Sequence, residues 1–188
     1  RPPISTLFPY TTLFRSFWMY VFLFALIGSM RGWARELLVS FSVILALFLL
    51  SVLERFVPFI RDTLMVNNPN SFFWLRSILL LSLVFFGYQT PKFPKLANSG
   101  RFIRDHFQDI LLGLFLGAVN GYLIFGSLWF FLDDAGYPFS FILAPDLNSE
   151  VGIIAQELLS FMPPELLGSP TIYFAVAIAF VFVLVVFL

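Results

Sequence analysis

The sequence predicts an all-α protein, a polytopic transmembrane helical bundle of four to five membrane helices. Three observations lead there. Residues 110–132 and 166–188, 23 residues each, contain no Asp, Glu, Lys or Arg. At a rise of 1.5 Å per residue, either can cross a hydrocarbon core roughly 30 Å thick as one helix. Shorter apolar runs precede them at residues 17–30, 37–53 and 72–88. Finally, the 188 residues are 60% hydrophobic and 12% charged, where an ordinary soluble domain has about 25% charged residues. A single soluble core of this size cannot hide that much apolar surface, so lipid is the expected solvent.

Composition also excludes several function classes. The chain has no cysteine, which removes disulfides, thiolate metal sites and thiol catalysis. A net charge of zero gives no electrostatic footprint for nucleic acid. Phe supplies 27 residues, so the lipid-facing surface is expected to be aromatic as well as aliphatic.

The first segment needs care. The chain opens on Arg1, as a fragment or processed form does, and residues 6–16 (TLFPYTTLFRS) resemble the in-frame translation of a sequencing adaptor. Residues 1–16 therefore read as an artefactual leader, and residues 17–188 as a single integral membrane domain. On that reading the first membrane segment is a shortened stump at 17–29. A tight polar turn, 29–36 (SMRGWARE), leads into the second segment at 37–53. A loop with Glu54, Arg55, Arg61 and Asp62 ends in the turn signal NNPNS at 67–71. The third segment follows at 72–88, with Arg76 one turn inside, where its stem is expected to snorkel to the interface. The fourth segment is 110–132 and the fifth 171–188.

Charge placement orients the bundle. Residues 91–109 carry Lys92, Lys95, Arg101 and Arg104, whereas 133–170 carry six acids and no Lys or Arg. Cytoplasmic loops collect Lys and Arg, so the first loop is expected inside, and 134–170 form an extracytoplasmic loop. The N-terminus is then outside and the C-terminus inside. The loop with Arg55 and Arg61 falls outside, against the rule. In the acidic loop, 151–162 (VGIIAQELLSFM) place Val151, Ile154, Leu158 and Met162 on one stripe. That pattern fits an amphipathic helix, either on the membrane boundary or packed on the bundle.

Two constellations stand out. In the turn at 28–38, two glycines allow a close reversal, Arg31 and Arg35 are placed to meet lipid phosphates, Trp33 suits an interface, and Glu36 suits a helix N-terminus. The pattern G-x-x-R-G-x-x-R-E-L-L between two short apolar helices resembles the signature of the colicin V production (CvpA) family of bacterial membrane proteins. Gly28, Arg31, Gly32, Arg35 and Glu36 occupy its positions. The resemblance extends loosely to about Leu132, and the acidic loop and fifth segment lie beyond it. It implies a multipass, non-enzymatic protein of the bacterial inner membrane, tied to colicin V (toxin) production and export or to envelope function. It implies no catalytic residue, cofactor or metal.

The second constellation is a glycine ridge in the fourth segment. Gly113, Gly117 and Gly121 recur every four residues, with Gly126 beyond and Asn120 beside them. Such a ridge lets another helix approach closely, and Asn120 can hydrogen-bond across it. The other helix belongs either to this chain or to a second copy. An alternative function is therefore a small membrane transporter or channel subunit that oligomerises through the ridge. The scarcity of ionisable groups at membrane depth weighs against ion-coupled transport. His106 with Asp105 and Asp109 makes a weak metal set and reads better as a solvated charged face. No nucleophile elbow, phosphate loop, HExxH or dinucleotide fingerprint is present. The expected partners are the lipid bilayer, membrane or export proteins, or a second copy of the chain.

Overall fold

The computed structural model of the protein describes residues 9–89, 106–140 and 142–187. Among these residues the chain forms helices and no strand, as an all-α bundle requires. Helix α1 (Pro9–Arg31) passes through the single residue Gly32 into α2 (Trp33–Phe56). Val57 caps α2 in an extended conformation, because the residue before Pro58 is pushed out of the helical region. A π-helical turn (Phe59–Leu64) and a short turn (Met65–Asn67) lead to α3 (Pro69–Tyr88). Pro69 opens α3 at its first turn, where the missing N–H costs nothing. The longest helix, α4 (His106–Asp134), is followed by α5 (Glu150–Leu159), α6 (Pro163–Leu166) and α7 (Thr171–Phe187).

Four of these helices are long and apolar enough to cross a membrane: Leu13–Arg31, Trp33–Phe56, Pro69–Tyr88 and Phe107–Asp134. A fifth crossing exists only if Glu150–Leu166 and Thr171–Val185, bent by 56° at their junction, act as one broken span. Helix α4 is the centre, packed against α1, α2 and α3, and α2 in turn packs on α3 and α7. On α2 the buried apolar positions are Val39, Val43, Ala46, Leu47 and Leu50, the i, i+4, i+7, i+8 spacing of one helical face. They meet Leu80 and Val84 of α3, Leu123, Ile124 and Phe131 of α4, and Ile172 of α7. Large apolar side chains elsewhere, among them Phe22, Phe86, Ile178 and Val185, point outward. A bundle in lipid has no reason to hide them.

Several expectations change. Helix α1 begins at Pro9, inside the adaptor-like stretch, and Leu13 and Phe14 pack on the bundle. In the structure the first span is therefore 19 residues rather than a stump at 17–29. The loop after α2 is largely helical rather than open. Helix α5 does pack on the bundle, through Ala155 and Leu159 together with Leu158 and Met162 of the expected stripe. Ile154 of the expected stripe is 51% exposed. Gly152 sits directly against the Asp146 carbonyl of the preceding turn, where a Cβ has no room. Ser149 caps the helix, its hydroxyl accepting from the Gly152 N–H at 3.0 Å. The basic loop with Lys92, Lys95, Arg101 and Arg104 lies outside the described residues.

Helices α5 and α6 rest against the end of the bundle, where Phe17, Trp129, Ala155, Leu159 and Met162 form a second apolar cluster. Trp129 donates its indole N–H to Tyr137 Oη at 3.2 Å. Burial pushes the Tyr137 phenol above its usual range, so it serves as a neutral hydroxyl.

Candidate functional site

The site grows from the turn between α1 and α2. Gly32 has φ +84°, a left-handed conformation that only glycine adopts freely. A Cβ there would also fall 2.9 Å from Asp109 Oδ2. The Gly32 N–H closes α1 by donating to the Gly28 carbonyl at 3.0 Å. Asp109, in the first turn of α4, accepts from the Trp33 N–H at 3.2 Å. A carboxylate from α4 thus caps the start of α2 and complements its dipole.

One turn into α2, Glu36 is completely buried. Arg31 Nη1 donates to Glu36 Oε1 at 2.8 Å, and Asn120 Nδ2 of α4 donates to Oε2 at 2.8 Å. The same amide nitrogen lies 2.8 Å from the Glu36 carbonyl. Ser40, one turn further along α2, donates to Asn120 Oδ1 at 2.7 Å. On the other side, Arg31 Nη2 donates to the Tyr88 carbonyl at 3.2 Å, and its guanidinium lies 4.3 Å from the centre of the Tyr88 ring. All four long helices contribute to this junction: Arg31 from α1, Glu36 and Ser40 from α2, Tyr88 from α3, Asn120 and Asp109 from α4. Both oxygens of the buried carboxylate are occupied, as a charge away from water requires.

Close approach of backbones makes the junction reachable. A Cβ on Gly28 would fall 2.7 Å from Gly117 Cα, and one on Gly117 would fall 2.9 Å from Gly28 Cα. A Cβ on Gly113 would meet the Gly28 carbonyl carbon at 3.1 Å, and one on Gly121 would meet Val21 Cα at 2.9 Å. The ridge of α4 is therefore covered by α1 of the same chain. Gly126 faces away from it, with Pro163 Cδ 2.8 Å from where its Cβ would be.

The opposite end of the bundle holds a second ionic cluster. Arg76 of α3 donates from Nε to Glu54 of α2 at 2.8 Å and from Nη1 to Asp134 of α4 at 2.6 Å. Its guanidinium lies 3.8 Å from the Phe72 ring centre. The expectation that Arg76 snorkels is overturned, since its side chain is only 7% exposed. Two carboxylates offer it a closer partner than the interface does. Arg31, expected to meet lipid phosphates, is paired with Glu36 and keeps 20% of its side chain exposed; Arg35 is exposed.

The motif residues Gly28, Arg31, Gly32 and Glu36 and the ridge residues Gly113, Gly117, Asn120 and Gly121 thus come together at one place. Reasoning from sequence missed Tyr88, Asp109 as a cap, and Gly87, whose Cβ would strike Ser42 where α3 crosses α2. It also missed the Glu54–Arg76–Asp134 cluster. The signal for the cluster was present: each of its residues stands near the end of an apolar segment on the same expected side. His106 and Asp105 do not form a described site, Asp105 lying outside the described residues. Among the described residues, no three of His, Asp and Glu stand together as metal ligands.

This fold and its polar junction define a class: an α-helical membrane protein with at least four helices able to span a bilayer, pinned by buried charge at both ends. Comparison with protein-family models, with curated proteins and with solved structures finds no match for the chain.

Proposed function

We propose that the chain is a CvpA-like, non-enzymatic, multipass protein of the bacterial inner membrane that acts in colicin V production and export through partner proteins. The observation that carries this reading is the convergence of the motif. Gly28, Arg31, Gly32 and Glu36 each have a distinct physical task at the junction of all four long helices. Four of the five signature residues thus join the helices, and the fifth, Arg35, is exposed. The groups around Glu36 are committed to one another, which suits a positioning role.

The alternative, a transporter or channel subunit oligomerising through Gly113, Gly117 and Gly121, has less support, because α1 covers that face. The test is complementation. A strain that carries a colicin V export system but lacks its own CvpA-type protein should regain toxin release when it expresses this chain. Gly32→Val and Glu36→Leu should not restore release. If the unaltered chain, present in the membrane, leaves release unchanged, the reading fails. Solute flux through reconstituted vesicles would favour the alternative instead.

A further inference from the structure

Arg55 differs from Arg31 and Arg76, which are held by carboxylates. Among the described residues no carboxylate pairs with Arg55, and the adjacent Glu54 is turned to Arg76. Arg55 lies exposed in the last turn of α2. The Lys and Arg residues of 91–109 put this end of the bundle outside by the charge rule, where an arginine runs against expectation. A guanidinium keeps its charge at any working pH, and at a lipid boundary the anions at hand are phosphates.

The groups around Arg55 are hydroxyls. Phe48, Ser51 and Arg55 lie along one side of α2, each about one turn from the next. Helix α7 lies against that side, with the Tyr173 ring edge-on to Phe48 at 6.0 Å between centroids. The Tyr173 hydroxyl reaches Arg55 and Ser51, and Ser169, two residues before α7, completes the group. Arginine only donates, and each hydroxyl has a proton to give. Donors therefore gather around one positive charge with no carboxylate among them. The cluster is open to its surroundings, Arg55 and Ser169 exposed and Ser51 and Tyr173 partly so. Beside it in the chain stand Phe56 and Phe174, 69% and 68% exposed.

We propose that Arg55, Ser51, Ser169 and Tyr173 bind a phosphate group at this end of the α2–α7 seam. The planar guanidinium matches two phosphate oxygens at once, and the Tyr173 and Ser51 hydroxyls donate to the others. The phosphodiester of a membrane lipid and inorganic phosphate share this chemistry. The flanking Phe56 and Phe174 rings suit the lipid, whose acyl chains then follow the outward side of α7 over Phe174 and Ile178. The site does not depend on the role in toxin release.

The test uses the full chain in detergent, with native mass spectrometry for retention and thermal unfolding for stabilisation. Phosphatidylglycerol, diacylglycerol (the same chains without phosphate) and inorganic phosphate are added separately at equal concentration. Phosphatidylglycerol should be retained and should raise the unfolding temperature; diacylglycerol should do neither. Arg55→Gln should weaken retention about tenfold or more, the worth of charge-assisted hydrogen bonds, and Tyr173→Phe about threefold. Tyr173→Phe keeps the ring on Phe48, so it reads the hydroxyl even where Arg55→Gln folds poorly. Stabilisation by inorganic phosphate that is lost in Arg55→Gln assigns the site to the free ion. Stabilisation by phosphatidylglycerol alone assigns it to the lipid. The proposal is overturned if neither phosphate compound binds, if diacylglycerol is retained as well as phosphatidylglycerol, or if both variants behave as the unaltered chain.

Discussion

Glu36 is the residue on which the junction turns. Its carboxylate is removed from water, so its charge is tolerable only while Arg31 and Asn120 hold it. Removing one partner of a buried pair leaves the other uncompensated and costs about 3–5 kcal/mol. Glu36→Gln should lower unfolding stability in detergent by about 3 kcal/mol on that ground. The double change Arg31→Met with Glu36→Leu should recover part of the loss, because an apolar pair of similar size removes the stranded charge. A double variant no better than Glu36→Gln would show that the pair stabilises beyond mutual neutralisation. At the other end, Glu54 and Asp134 are 31% and 38% exposed, so water screens what Arg76 leaves behind. Arg76→Met should therefore cost less, about 1–2 kcal/mol, mostly from its lost stacking on Phe72 and a weakened ion pair. Gly32→Ala combines a left-handed backbone with a clash at Asp109 and should cost about 2 kcal/mol, read in the same unfolding assay.

At the scale of elements, the contact that sets the architecture is α1 lying directly on the ridge of α4. Lipid offers no hydrophobic drive between helices, so close packing of small residues and a few hydrogen bonds must supply the attraction. Gly117→Leu would force a side chain against the Gly28 backbone and should cost about 3 kcal/mol by overpacking. Phe115→Leu, on the outward face of the same helix, should leave thermal stability in detergent nearly unchanged. Because the ridge is filled from within the chain, Gly117→Leu should destabilise without altering oligomeric state. A shift in oligomeric state with stability intact would return the ridge to an intermolecular role.

For the whole molecule, the two ionic clusters define two ends. The turn at Gly32, the end of α3 and the start of α4 share one; the start of α3, the end of α4 and helices α5 and α6 share the other. With no cysteine in the chain, single-cysteine labelling gives a clean reading. Gln89→Cys and Asn148→Cys, both exposed, should label from opposite sides of a sealed membrane vesicle, and Asn67→Cys should label with Asn148→Cys. The Lys and Arg residues of 91–109 predict that the Gln89 side is cytoplasmic. Labelling of Gln89→Cys and Asn148→Cys from the same side would overturn the four-span arrangement.

By itself the sequence determined that the chain is a membrane protein of four to five long apolar segments, and the place of the turn between α1 and α2. These follow from local properties: runs of residues without charge, and glycine and proline at fixed positions. It also marked the residues of the junction one at a time, Gly28 and Arg31 by motif, Gly117 and Asn120 by spacing. Only the tertiary structure decided which of them touch. Arg31 could face lipid or Glu36, Arg76 could snorkel or pair, and the ridge could meet a second copy or α1. Each choice depends on partners 5 to 100 residues away in the chain, and on which carboxylate or backbone the packing brings within about 3 Å. A charge in lipid takes the nearest compensating group, and nearness is a property of the assembled bundle rather than of the chain.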